Sequence, residues 1–274
     1  MRVMSNRRRT SFPVVKSWAM GTSNRDLIVE QFTRQAVPYS KASGITSEDT
    51  LTRIVRASAA GPDDTVLDVA CGPGLLVCTF APVVRHVTGI DLTPAMLDRA
   101  RELQRERGLQ NVSWQQGDVH HLPYSAASFS IVSSRFAFHH FPDQFVVLSE
   151  MRRVCKPGGR IVVSDTAPAA NKLDGFNRME LLRDPSHVRA LSLEEHCELF
   201  ARVGLPRPRI ETYRMEGDVE SLLQRSFTTE EDANRCRKIF ADALADDFID
   251  MQPRLQDGKI CYAFPVAVLV ADIP

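Results

Sequence analysis

Apolar positions along the chain fall into two regimes. Between residues 24 and 60 they recur at helical spacing. Leu27, Phe32 and Val37 mark one helical stretch broken at Pro38, and Leu51, Ile54 and Val55 share a face of a second. The second starts at Ser47, an N-cap with Thr50 where a capping box more often carries an acid. Gly61-Pro62-Asp63-Asp64 reads as a turn. From there, short apolar runs alternate with helical stretches. TVLDVA (65–70), HVTGID (86–91), VSWQQGD (112–118), ASFSIVSS (127–134) and RIVVSDTA (160–167) read as strands. Between them, LLVCTFAPVV reads as a helix, as does TPAMLDRARELQRERG, with Pro94 in its first turn and Gly108 closing it. A further helix, FPDQFVVLSEMRRVC, is expected to close at Pro157-Gly158-Gly159. Residues 168–206 are mostly helical, RPRIETYRM (207–215) reads as a strand, 217–251 as helix, and CYAFPVAVLVADI (261–273) as a last strand in which Pro265 implies an edge position or a bulge.

Strands alternating with helices over about a hundred residues imply βαβ units, hence an α/β fold with a doubly wound, mostly parallel sheet, seven-stranded on this count. Strands buried on both faces should be near-continuously apolar, as VLDVA and IVVS are. The expected division is a mobile tail over 1–23, a helical cap over 24–61, a core over 62–167, a helical insertion over 168–206 and closing strands and helices over 207–274.

Composition narrows the function classes. The 274 residues carry 34 Lys+Arg against 34 Asp+Glu, a formal net charge of zero. Nucleic-acid binders draw most of their affinity from a basic excess, so that class is disfavoured. There is no run of 18 apolar residues, and Phe264–Ala271 is too short to span a bilayer, so no membrane partner is expected. Arg7, Arg8 and Arg9 resemble the start of an export signal, but Pro13, Lys16 and Ser17 interrupt any apolar stretch behind them. Met4 or Met20 could equally start the chain. The six cysteines form no CxxC pair, which suits reduced thiols in a cytoplasmic protein. His pairs lack metal-ligand spacing, and no metal is expected.

The candidate chemistry lies at strand ends. The first strand runs into DVACGPGLL, a glycine turn through which a ligand can approach the backbone. A dinucleotide fingerprint needs a third glycine where Val77 stands, and Asp68 would repel a pyrophosphate while suiting a cation. Asp91 closes the second strand, where it can accept bonds from ribose hydroxyls or cap the helix at Thr93-Pro94. Gly117-Asp118-Val119 closes the third, where Asp118 can accept from an adenine amino group or simply form a turn.

VLDVACGPG, GIDLTPAML, QQGDVHHLPY, SSRFAFHHF and LSEMRRVCKPGGRIVVSD resemble the motifs of class I S-adenosylmethionine-dependent methyltransferases. The nearest resemblance is to the small-molecule branch that includes the ubiquinone and menaquinone biosynthesis C-methyltransferases. The motifs span 65–167, and LLRDPSHVRALSLEEHCELF (181–200) resembles a subset of that branch with no assigned substrate. The resemblance implies a Rossmann-like methyltransferase fold, S-adenosyl-L-methionine as cofactor and a small-molecule methyl acceptor. It implies that Asp68, Ala70, Gly72 and Gly74 line the methionine and ribose part, Ala70 replacing the usual first glycine. Asp91 would hold the ribose, Leu92 and Met96 would contact the adenine, and Asp118 and the Val119 amide, after Gly117, would pair with its edge. Ser134 or Arg135 would meet the methionine end, and Tyr39 either joins them or packs. The place of the proline-aromatic motif of DNA amino-methyltransferases reads SRFA, which argues against nucleic-acid substrates.

A general base is needed only for a phenol, alcohol or carbon acid. His139 and His140, just past the fourth strand, are candidates, with capping or packing as the alternative. Phe136, Phe138 and Phe141 either face an aromatic acceptor or fill core. Arg183, Asp184 and His187, in RDPSH after the expected helix break at Pro185, form either an acceptor site in a lid or an Asp–Arg clasp. His86, His120 and His121 read as structural or solvated. The expectation is methyl transfer to a phenolic or quinoid oxygen or carbon. A cyclase-like use of the cofactor, a catalytically silent accessory protein and a homodimer stay open.

Overall fold

A computed structural model of the protein describes residues 23–274. The expected tail lies outside these residues except for Ser23. That residue caps the first helix: its hydroxyl accepts from the Asp26 amide at 3.2 Å, while the Asp26 carboxylate accepts from the Ser23 amide at 3.1 Å.

The helices, in chain order, are α1 (Asn24–Tyr39), α2 (Ser43–Thr46), α3 (Glu48–Ala57), α4 (Leu75–Phe80), α5 (Pro94–Glu106), α6 (Gln144–Val154), α7 (Leu173–Arg183), α8 (Leu193–Arg202), α9 (Val219–Ser226) and α10 (Glu230–Ala243). The strands are β1 (Thr65–Val69), β2 (His86–Asp91), β3 (Val112–Gln116), β4 (Phe129–Arg135), β5 (Cys155–Thr166), β6 (Arg209–Asp218), β7 (Arg254–Gln256) and β8 (Lys259–Asp272). They form one eight-stranded sheet of order β3-β2-β1-β4-β5-β8-β6, with β7 paired to β8. The first five strands are parallel, and β8 runs antiparallel to its neighbours. No helix among the described residues is long and apolar enough to cross a membrane.

Side-chain alternation puts a core on each face. Val66, Ile131, Val162 and Val268 enter one apolar cluster, and their neighbours Leu67, Val132, Val163 and Leu269 enter the other. All are essentially inaccessible, which is why these strands read as unbroken apolar runs. Strand order reverses between β1 and β4, and such a switch point leaves a crevice beyond the strands' carboxyl ends.

Several boundaries differ from the sequence reading. α6 ends at Val154, and Pro157-Gly158-Gly159 lies within β5, in an irregularity where pairing jumps from Phe129↔Cys155 to Ile131↔Arg160. Pro38 does not break α1, which ends one residue later; a proline in a last turn forfeits little. Pro265 sits on an interior strand and not at an edge. Its carbonyl accepts from Ala167 at 2.9 Å, so its nitrogen faces the same side, and the one bond it cannot make falls just past Thr166, where β5 ends. The short strand β7 was not visible as a pattern of only three exposed residues.

Candidate functional site

The glycine turn is built by backbone conformation. Ala70, Gly72 and Gly74 all have positive φ, at 56°, 53° and 76°. Ala70 is the strained member, because its Cβ crowds the carbonyl in that region. The turn is tied to the next strand by Asp91, whose carboxylate accepts from the Gly72 amide at 2.8 Å and the Thr93 amide at 2.8 Å. The N-cap of α5 is Thr93, so Asp91 does not cap that helix; its side chain joins the glycine turn to the Thr93 amide at the crevice.

Above this turn lies a cavity of about 330 Å³. Of the residues expected to hold a cofactor, Tyr39, Asp68, Ala70, Gly72, Asp91, Leu92, Met96, Asp118, Val119 and Arg135 line it. Three expected residues do not. A Cβ on Gly74 would come within 2.5 Å of Trp114 and 2.9 Å of Ala100, so this glycine lets α4 and α5 close over β3 behind the cavity. Gly117 faces Ile90 and holds the Asp91 carbonyl through its amide at 3.0 Å. The Ser134 hydroxyl points into the sheet and donates to the Val69 carbonyl at 2.9 Å. Residues at consecutive positions on a strand face opposite ways, which is why Arg135 reaches the cavity and Ser134 does not.

The helices of 24–60 are expected to roof the pocket, with Tyr39 as a candidate contact. Besides Tyr39, α1 covers the cavity through Arg25, Ile28 and Phe32, which sequence reasoning did not single out, nor did it single out His120 as a lining residue. The His120 ring bonds Asp118 at 2.8 Å, and its amide donates to the same oxygen at 2.9 Å. Burial pushes Asp118 up, but these bonds outweigh it and hold the carboxyl below its usual range. Nothing local marks Arg25, Ile28 and Phe32 as lining residues; Phe32 looks like an ordinary packing aromatic.

Asp68 accepts from Ser133 Oγ at 2.7 Å and is otherwise enclosed. Burial raises its carboxyl to about 7, Ser133 and the Arg135 charge opposing. A half-protonated carboxyl on a cavity wall is suited to a cationic group. Phe136, at φ 52°, is a bulky residue in the left-handed region, and the Arg135 guanidinium lies 4.6 Å from its ring centroid.

A smaller chamber of about 60 Å³ adjoins the cavity, and Phe32, Tyr39, Phe136 and His140 line both. His139 and Arg183 line only the inner chamber. His139 Nδ1 lies 2.5 Å from Asp165 Oδ1, and Asp165 also accepts from the Phe138 amide at 2.7 Å. Burial pushes the imidazole down, but the Asp165 charge more than offsets it and leaves His139 above its ordinary value. The Asp165 carboxylate favours the charged imidazole, which makes His139 poorly suited to take up a further proton. Arg183 is held chiefly by Glu180 (3.0 and 2.5 Å), with Ser226 at 2.9 Å and Asp184 at 3.9 Å, so the pair expected with Asp184 is its longest contact. His187 reaches neither cavity; it is buried, with Nε2 2.8 Å from Asn177 Oδ1. Phe136 and Phe141 face the cavity, and Phe138 fills core. Among the described residues no group of three His, Cys, Asp or Glu side chains is placed to hold a metal.

The doubly wound sheet brings acids from three successive strand ends to one cavity, and comparison with known proteins gives the class: the chain belongs to the S-adenosylmethionine-dependent methyltransferases. Residues 67–163 match the family model described as a methyltransferase domain. Among particular relatives, it is 33% identical over 199 residues to an uncharacterised methyltransferase, YcgJ, of Bacillus subtilis, covering 72% of this chain and 79% of that one. The crystal structure of YcgJ superposes with a TM-score of 0.76 at 26% identity over 82% of this chain and 98% of that one. The ubiquinone/menaquinone biosynthesis C-methyltransferase UbiE of Bdellovibrio bacteriovorus is 34% identical over 146 residues, 51% of this chain and 62% of that protein.

Proposed function

We propose that the protein transfers a methyl group from S-adenosylmethionine to a phenolic or quinoid oxygen or carbon of a small molecule, with the cofactor in the larger cavity and the acceptor in the inner chamber. One observation carries the reading: Asp68, Asp91 and Asp118, from the ends of β1, β2 and β3, face a single cavity of about 330 Å³, a size suited to one nucleoside-sized ligand. The donor set fits the cofactor. Asp91 keeps lone pairs beyond its two backbone bonds for ribose hydroxyls. Asp118 and the Val119 amide offer an acceptor and a donor for an adenine edge, and Leu92 and Met96 supply apolar faces. Asp68 and the Ala70–Gly72 turn suit the cationic methionine end, with Tyr39 and Arg135 beside it. Gly74, Gly117 and Ser134 shape the wall from behind.

When bound, the cofactor supplies a methyl carbon already activated by a sulfonium. The chain's task is then alignment and exclusion of water, and orientation can supply about 7–11 kcal/mol of the barrier. Phe32, Tyr39, Phe136 and Phe264 wall the chamber, which suits a planar unsaturated ring. Homology to a quinone C-methyltransferase supports the same acceptor class.

Calorimetry with S-adenosylmethionine and S-adenosylhomocysteine tests the first half, and Asp91→Ala should weaken both at least about tenfold through loss of charge-assisted bonds. Unchanged affinity overturns the ribose role. Incubation with deuteromethyl-labelled cofactor and the small-molecule fraction of a cell extract, read by mass spectrometry, tests the second half. Absence of a labelled product while S-adenosylhomocysteine accumulates would exclude a small-molecule acceptor in that fraction.

A further inference from the structure

His140 stands where the two cavities meet, and its ring is tied to the segment that follows α7. Pro185 ends that helix, and the chain turns so that Ser186 backs onto His140. All three residues of the resulting chain are buried: Asp184, Ser186 and His140 are 2%, 0% and 5% exposed. Asp184 Oδ1 accepts from the Ser186 hydroxyl at 2.6 Å and from the Ser186 amide at 2.9 Å. Ser186 Oγ lies 3.1 Å from His140 Nδ1.

These contacts determine where the imidazole hydrogen sits. Burial pushes Asp184 up, but His140, Arg183 and the Ser186 bonds outweigh it, so the group stays ionised and can only accept. Ser186 has one hydroxyl hydrogen and commits it to Asp184. Towards His140 its oxygen is left only a lone pair, so Nδ1 must be the donor. A neutral imidazole carries one N–H, which leaves Nε2 bare. Nε2 makes no hydrogen bond among the described residues and is not sealed in the core. We propose that Asp184 and Ser186 lock His140 in its Nδ1–H tautomer, so that Nε2 is the general base for an acidic hydroxyl of the methyl acceptor. The proposal rests on the methyl-transfer reading above.

The surroundings of His140 agree. Phe32 of α1 packs edge-on at 5.0 Å, His139 at 4.2 Å and His187 at 6.4 Å, with Arg183 and Asp184 the charged groups facing it from the end of α7. Burial first, and the charge on His139 second, push His140 down to about 4, so it is uncharged and able to accept at neutral pH. An uncharged imidazole at the mouth between the two cavities is placed to accept a proton from an acidic hydroxyl of the acceptor. In the step, the hydroxyl proton passes to His140 Nε2. The oxygen's electron pair forms the bond to the methyl carbon while the carbon–sulfur bond breaks, its pair remaining on sulfur. The imidazolium then releases its proton to solvent.

The tautomer is read directly by nitrogen NMR of the full chain labelled at histidine, with His140→Gln identifying the resonance. We expect a protonated Nδ1 and a bare Nε2 in the wild type, mixed tautomers in Ser186→Ala, and the wild-type pattern again in Ser186→Thr. An Nε2–H tautomer in the wild type, or no change in Ser186→Ala, overturns the proposal. This measurement needs no acceptor, so its outcome is separate from that of the methyl-transfer reading. With labelled cofactor and extract, His140→Gln should lose about 100-fold or more of transfer, the contribution of a general base. The rates are compared at saturating cofactor, so that a change in cofactor affinity at this cavity-lining position does not enter them. Transfer within about threefold of wild type would overturn the base role.

Discussion

At the scale of single residues, the buried polar groups around the two cavities carry distinct burdens. Asp165 pairs with His139 and holds the Phe138 amide, so Asp165→Asn removes the charge that stabilises the protonated form of a buried imidazole. A loss of about 3 kcal/mol is expected in urea unfolding. The pH dependence follows from the two shifts. His139 lies above its ordinary 6.5, so its contribution is whole below that value and is lost as pH rises through its folded value. Burial pushes Asp165 up, but His139 outweighs it, and the carboxyl lies below its ordinary 3.8; its share is present above 3.8 and lost as pH falls through its folded value. The difference between wild type and Asp165→Asn should therefore be largest between about pH 4 and 6.5 and shrink in alkali. Asp68 behaves oppositely: raised to about 7, it must shed a proton to meet a cation. S-adenosylmethionine affinity should fall below pH 7 by up to about tenfold per unit, and Asp68→Asn should flatten that slope in calorimetry. Ala70, at φ 56°, occupies the place of a usual glycine; Ala70→Gly should raise the melting temperature, recovering about 1 kcal/mol of strain.

At the scale of elements, the strand runs and glycine turns were legible because a strand buried on both faces must be apolar at every position. VLDVA and IVVS could hardly be anything else. The ends of elements were less legible. Pro157-Gly158-Gly159 has the composition of a helix stop, yet the stop is Val154 and the three residues accommodate a register jump against β4. Pro265 looked like an edge signal, but whether a missing N–H matters depends on where the neighbouring strand ends. Gly74 illustrates the same point at the site. It belongs to the ligand turn in sequence, but what demands glycine there is Trp114, reaching over from β3. Gly74→Ala should cost about 1–3 kcal/mol in thermal unfolding, from overpacking at a left-handed φ.

At the scale of the whole molecule, the cavity is closed by an element far in sequence from its floor. α1 brings Arg25, Ile28, Phe32 and Tyr39 over strand ends 30 to 100 positions later in the chain. Hydrogen exchange on adding S-adenosylhomocysteine should therefore slow in α1 as well as in 67–119; protection confined to the latter would remove α1 from the site. By itself the sequence determined the parallel sheet, its helical layers and the strand-end acids Asp68, Asp91 and Asp118. These depend on local periodicity and on chain order, and both are written in neighbouring residues. Only the tertiary structure decided which of the motif residues reach the cavity, since Ser134 and Arg135 differ by one position of strand alternation. Only it separated His139, paired with Asp165, from His140, whose ring is oriented by Ser186 46 positions away. A histidine's protonation and tautomer are set by what surrounds it in space, and adjacent residues in a sequence do not share those surroundings.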